Sequence, residues 1–195
     1  MQVVQVKCPN CLQPITSKMK DVVFYCDLCK TIHIRDGKET KVLDFEIAES
    51  NKTITADKKY VPFWRAFCDF AILESRSSGF FGKMAQFMRG DGNSGSLFIF
   101  VPASEIDVGT FKQLAMDLTM SPPRYESRLD FENTQRLPVK ITKDEAEQVS
   151  DFVFVTIQAE KPGILQDLNY SLNCKSSKLV YLPFVISGSG MRPAW

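Results

Sequence analysis

Histidine is almost missing from this chain: His33 is the single one in 195 residues. A cysteine–histidine nucleophile would have to draw on it, yet Cys68 and Cys174, the cysteines outside paired motifs, fall in what reads as a different domain. Both are expected to be unpaired, buried structural cysteines. Net charge is nearly missing as well, +1 at pH 7, which removes the general attraction to nucleic acid or anionic membrane that a basic protein has. No run approaches the roughly 18 consecutive apolar residues of a membrane-spanning helix. The start, "MQVVQVKCPNC", lacks the basic stretch and long apolar run of a signal peptide. The expectation is a cytoplasmic protein, peripheral to the inner membrane only through a partner.

Motifs of catalysis are missing too. "GDGNSG" lacks the Lys-Ser/Thr ending of a phosphate loop and the later acidic ligands of a calcium loop. "SGSG" near the C-terminus lacks the strand–turn–helix setting of a nucleophile elbow. No catalytic residue is assigned, no small-molecule substrate is evident, and the chain is read as a non-enzyme.

What is present is cysteine in pairs. "CPNC" supplies Cys8 and Cys11, and "CDLC" supplies Cys26 and Cys29, with Leu12 to Tyr25 between them. This is the spacing of a tetrathiolate zinc site. Each C-x-x-C is a tight turn presenting two sulfurs on one side, and two such turns close a tetrahedron that leaves no position for water. One structural Zn²⁺ on Cys8, Cys11, Cys26 and Cys29 is expected. The flanking residues fit a three-stranded ribbon: "DVVFYC" leads into the second turn, and "TIHIRDGKETKVLDFEIAE" reads as a hairpin with Asp36-Gly37 at its turn and Val42 to Ile47 returning. Four thiolates already satisfy zinc, so His33, pointing away from its neighbours Ile32 and Ile34, is read as a plain strand histidine. Residues 1–50 carry seven basic and seven acidic side chains. With zinc bound the thiolates add a net charge of about −2, where a nucleic-acid face must be basic.

The rest divides into a polar linker at 51–59 and a domain over 60–195. Tyr60-Val61-Pro62-Phe63 and Tyr181-Leu182-Pro183-Phe184 share a pattern, and both are expected on strands of one sheet. Pro62, Pro102, Pro138 and Pro183 should mark strand edges, starts or bulges, because proline cannot donate to a ladder. "SLFIFVPAS" and "RLPVKIT" read as strands. Two helices follow from periodicity and caps. One has Ser104 and Asp107 as capping candidates and Phe111, Leu114, Ala115 and Leu118 as its stripe. The other has a Thr142/Glu145 capping box and a stripe of Ala146, Val149, Phe152, Val153 and Ile157. The fold class is therefore α+β: an N-terminal three-stranded zinc ribbon, then an α/β sheet domain with two main helices.

Between Gly/Ser clusters at 79–96 lies an inserted apolar segment with Phe80, Phe81, Met84, Phe87 and Met88 at helical spacing. So large a patch marks an interaction site if exposed. It either docks on another protein, less readily on a membrane, or folds back as a lid over its own core.

The ordered set of paired C-x-x-C motifs, "YVPFWR", "FIFVPA", "LPVKITKDEAEQ" and "LVYLPF" resembles a family of functionally uncharacterised bacterial zinc-ribbon proteins. The resemblance covers nearly the whole chain. It implies the domain order and the four metal ligands, and adds no catalytic residue. The functional expectation is an accessory or adaptor protein that joins other proteins in a larger, membrane-associated assembly. The alternative is a ribbon protein touching nucleic acid or the transcription machinery.

Overall fold

Tyr60–Phe63 and Tyr181–Phe184 do not merely share a sheet; they pair with each other. In a computed structural model, which describes residues 7–15, 21–36, 39–76, 93–160, 167–188 and 190–195, Tyr60 lies opposite Pro183, Val61 opposite Leu182, and Pro62 opposite Tyr181. The two motifs are thus related by a local two-fold at the centre of the molecule. They sit in the two longest strands, β5 (Lys58–Arg76) and β8 (Asp167–Ser187), which run antiparallel along their whole length.

Proline survives inside these central strands because each ring nitrogen faces a gap in the flanking ladder. Beside β5, residues 135–137 bond the backbone of Tyr60, and then β6 (Ser94–Pro102) takes over, with Ala103 just past its end donating its N–H to the Pro62 carbonyl. Pro62 lies at that handover. Beside β8, the parallel strand β4 (Phe45–Ala48) reaches Tyr181, and the antiparallel β9 (Gly190–Pro193) ends with Pro193 opposite Phe184. Pro183 fills the space between. At both points a missing N–H costs no ladder bond.

The large sheet has the order β6-β5-β8-β4-β7, with β7 at Ser127–Arg128 and β9 on β8. A separate three-stranded antiparallel sheet holds β1 (Val23–Cys26), β2 (Thr31–Asp36) and β3 (Glu39–Leu43). This places Phe45–Ala48 in the large sheet, not in the return arm of the N-terminal hairpin. Of the residues expected in the ribbon, Phe45–Ala48 thus pairs with β8, and Lys58 and Lys59 of the expected linker belong to β5. "RLPVKIT" is not a strand. It is an extended stitch, bonding Tyr60, Ala103 and Val22 through its backbone.

One face of β5 carries Tyr60, Trp64, Ala66, Cys68 and Phe70, buried under helix α2 (Lys143–Ala159). The opposite face carries Val61 and Phe63, packed with Phe100, Phe184 and the helix α1 (Val108–Met120) residues Leu114 and Leu118. Burial on both faces over 60–64 explains why this run is apolar without alternation. α1 also closes the sheet edge: the Thr119 hydroxyl accepts the Phe100 N–H of β6 at 3.0 Å. The Thr142/Glu145 capping box forms, and Asp107 caps α1 by accepting from the Thr110 N–H. Ser104 instead donates to the Pro138 carbonyl. On α2 the buried face is Ala146, Ser150, Val153, Phe154 and Ile157, and the expected Phe152 is 60% exposed. Among the described residues no helix is long and apolar enough to cross a membrane.

The N-terminal sheet is not an independent bead. Val23, Tyr25 and Ile32 belong to the same buried cluster as Tyr60, Trp64 and Tyr181. Phe131 is the wedge between them, edge-on to Tyr25 (5.0 Å), Tyr60 (5.3 Å) and Tyr181 (4.9 Å). Beside it the buried Asp21 carboxylate accepts from Arg136 at 2.6 Å and from the Val139 N–H at 3.0 Å.

Cys68 and Cys174 form a disulfide, which corrects their reading as unpaired. They oppose each other in the β5–β8 register, next to an irregularity between Phe67 and Cys68. Directly opposed side chains share a face a few ångströms apart, a relation that no local motif announces. A peptide map of unreduced protein should recover one linked pair, Cys68 with Cys174; alkylation of both by iodoacetamide in oxidised protein would refute the pairing. Phe154→Ala should cost about 3–5 kcal/mol in denaturant unfolding. Phe152→Ala should stay within about 0.5 kcal/mol, and the reverse ranking would refute the assignment of the buried face.

Candidate metal centre

Both cysteine turns are built the same way. After each second cysteine the chain adopts a left-handed residue, Leu12 (φ 60°) and Lys30 (φ 56°). This folds the backbone so that the Leu12 N–H reaches the Cys8 carbonyl, and the Lys30 N–H the Cys26 carbonyl, each at 2.8 Å. The first turn is closed by a bridge between Lys7 and Pro14 and by the Cys8 N–H to the Gln13 carbonyl. The second is closed by the β1–β2 ladder, where Cys26 lies opposite Thr31.

The turns face each other. Cys8 Sγ lies 3.5 Å from Cys29 Sγ, Cys11 Sγ 3.5 Å from Cys26 Sγ, and all four sulfurs fall within 4.8 Å of one another. Metal–sulfur bonds of about 2.3 Å in a tetrahedron place sulfurs about 3.8 Å apart, so the cluster has the size of a single ion's coordination sphere. The four residues named from the sequence are brought together and could bind one metal ion. Cys8 and Cys26 are buried, with Ile15 beside them; Cys11 and Cys29 are partly exposed.

Electrostatics favour the same conclusion. Without a cation, four thiols this close cannot ionise independently. Cys29 is drawn down to about 5, chiefly by the Thr31 hydroxyl, with Asn10, Cys8 and Cys26 adding to it. Cys11 is pushed up to about 12: the Gln13 backbone N–H lowers it, but burial and the three neighbouring thiols together outweigh that bond. One divalent cation removes the conflict by stabilising all four thiolates at once.

His33 is not the plain strand histidine the sequence implied. Its side chain does point away from Ile32 and Ile34, but that side faces the four sulfurs. It is fully buried, with Nε2 at 3.2 Å from Cys8 Sγ and 2.8 Å from Thr31 Oγ1. Thr31 Oγ1 in turn lies 2.9 Å from Cys29 Sγ. Sequence reasoning missed this pair, although the signal was available: Thr31 and His33 directly follow the second turn and alternate with the two isoleucines. The other predicted site residues, Phe80, Phe81, Met84, Phe87 and Met88, lie outside the described residues.

Protein purified without chelator should carry one metal ion per chain, and Cys26→Ser should lose it. Because Val23, Tyr25 and Ile32 share the core of the large sheet, the loss should lower the single melting transition of the whole protein. Full metal content in Cys26→Ser, measured by elemental analysis, would sink this assignment.

No protein-family model, no curated protein and no solved structure matches this chain.

Proposed function

We propose that the chain is a non-catalytic adaptor whose N-terminal unit is a zinc ribbon and whose two cysteine turns contact another protein. Zinc is favoured by the donor set: four thiolates in a closed tetrahedron are the structural zinc arrangement, with no place for a reacting water. Such a site contributes roughly 10–16 kcal/mol of apparent binding free energy to folding.

The observation that carries the adaptor reading is the pair Leu12 and Leu28, which are 71% and 69% exposed on the two turns. Leu12 also holds a left-handed backbone, a conformation that costs a non-glycine residue about 1–2 kcal/mol. Folding gains nothing from an exposed leucine there, and glycine or asparagine would suit the turn better. A partner that buries the two leucines gives both a use. The balanced charge of residues 1–50, made more acidic by a tetrathiolate metal site, favours protein over nucleic acid as that partner.

Leu12→Asn combined with Leu28→Ser should keep the zinc content and the melting temperature, while the partner recovered from the native cell by crosslinking with wild-type protein is lost. Recovery of the same partner by wild type and double variant would overturn the reading. Stoichiometric iron in place of zinc in protein from the native cell would overturn the metal assignment alone.

A further inference from the structure

We propose that Thr31 and His33 form a hydrogen-bonded pair that clamps one sulfur from each cysteine turn and thereby sets how tightly the site holds its metal. This rests on the metal reading above and goes beyond the four ligands to residues that touch no metal.

The geometry fixes the direction of every bond. A metal-bound thiolate has no proton to give, so whatever approaches it must donate. His33 Nε2 lies 3.2 Å from Cys8 Sγ, and Thr31 Oγ1 lies 2.9 Å from Cys29 Sγ. Thr31 has one proton; directed at Cys29, it leaves the hydroxyl oxygen free to accept from His33 Nε2 at 2.8 Å. The ring proton is then shared between Thr31 Oγ1 and Cys8 Sγ, and the hydroxyl proton goes to Cys29 Sγ. His33 Nδ1 is buried and has no partner among the described residues. A proton on Nδ1 would be a buried donor with nothing to bond, so the ring carries its proton on Nε2.

The cost of this arrangement shows what it is for. His33 is fully buried in the strand that also buries Ile32, with one ring nitrogen unsatisfied. Packing alone would favour an apolar residue at such a position. The charge of a tetrathiolate site supplies the compensation: hydrogen bonds to thiolate are charge-assisted, and they spread the excess negative charge of the ligands. The ladder supplies the placement. Cys26 opposite Thr31 and Phe24 opposite His33 put both donors on the metal side of β2. Cys8 comes from the first turn and Cys29 from the second, so the pair braces the two turns across the metal as well as neutralising it. Thr31 and His33 are positioning residues in the sense of an outer shell, whose loss ordinarily weakens metal binding 10–100-fold.

The test compares the full-length protein with His33→Leu, His33→Gln and Thr31→Val, measuring zinc affinity against a chromophoric chelator and the thiolate-to-metal charge-transfer band of the cobalt-substituted protein. His33→Leu and Thr31→Val should each bind zinc about 10–100-fold more weakly and shift the band to lower energy, as expected for thiolates that have lost a donor. His33→Gln, which keeps an N–H donor, should recover most of both. Thr31→Val is nearly isosteric and leaves the ring in place, so it reports on the hydrogen bond even where His33→Leu folds poorly. Equal affinity and an unchanged band in His33→Leu and Thr31→Val would overturn the proposal. So would His33→Gln behaving like His33→Leu, which would make the ring a packing element only. A wild-type cobalt spectrum of three sulfurs and one nitrogen would make His33 a ligand and overturn it as well. Wild-type protein that binds no metal would bring down the metal reading itself, an outcome distinct from all of these.

Discussion

The antiparallel pairing of β5 with β8 is the constraint on which the rest of the structure depends. It joins residues that lie from 91 positions apart (Arg76 with Asp167) to 127 (Lys58 with Val185), so its loop-closure entropy is large and must be repaid by what the ladder organises. It defines two faces. One accepts α2 and the N-terminal sheet, and the other accepts α1 and the C-terminal Trp195, whose ring meets Phe184 edge-on at 5.2 Å. It brings Cys68 against Cys174. It also sets Tyr60 and Tyr181 diagonally across the ladder, where both rings receive Phe131.

From that platform the metal centre is held at second hand. Phe131 passes the position of the ladder to Tyr25, at the end of β1, and Cys26 is the next residue. Arg136 lies over the Tyr25 ring at 5.9 Å while it pairs with Asp21 at 2.6 Å. An ion pair this deeply buried contributes little net stability, but removing one partner leaves a stranded charge and costs about 3–5 kcal/mol. Its value lies in fixing the seam: Asp21 can satisfy Arg136 and the Val139 N–H together only in one relative placement of the two sheets. On the far face, Glu46 of β4 accepts from Arg65 and Tyr125 and pairs with Lys178. Burial works against its ionised form, but these three donors outweigh it and hold the carboxyl below its ordinary value. The short parallel strand is thereby tied to β5 and β8 by its side chains as well as its ladder.

The metal site itself needs little of this. Each turn is closed by bonds within a few residues, and the sulfurs converge because the second turn is set by the β1–β2 hairpin ladder. Thr31 and His33 come with that ladder at no further cost in chain entropy.

Local features were legible in the sequence because their physics is local. The four ligands are fixed by short spacing, the Thr142/Glu145 box by one helical turn, and the helix positions by periodicity. Reading failed where a position is defined only by something distant. Phe152 and Phe154 are equally apolar, and which one enters the core depends on how α2 is rotated against β5 and β8, where Phe70 and Tyr170 receive Phe154. Phe45–Ala48 looks like the end of a hairpin, and its capture by β8 is a parallel pairing with no turn to announce it. Pro62 and Pro183 were recognisable as ladder gaps, but not that the gaps lie in central strands. His33 was placed on the correct side of its strand and assigned no role, because the side facing the metal is decided by register with β1. By itself, then, the sequence determined the four-cysteine cluster, the helices and the strand-forming runs, since each rests on contacts a few residues apart. Only the tertiary structure decided the disulfide, the seam between the sheets and the company His33 keeps, since each depends on which distant strand supplies the opposing residue.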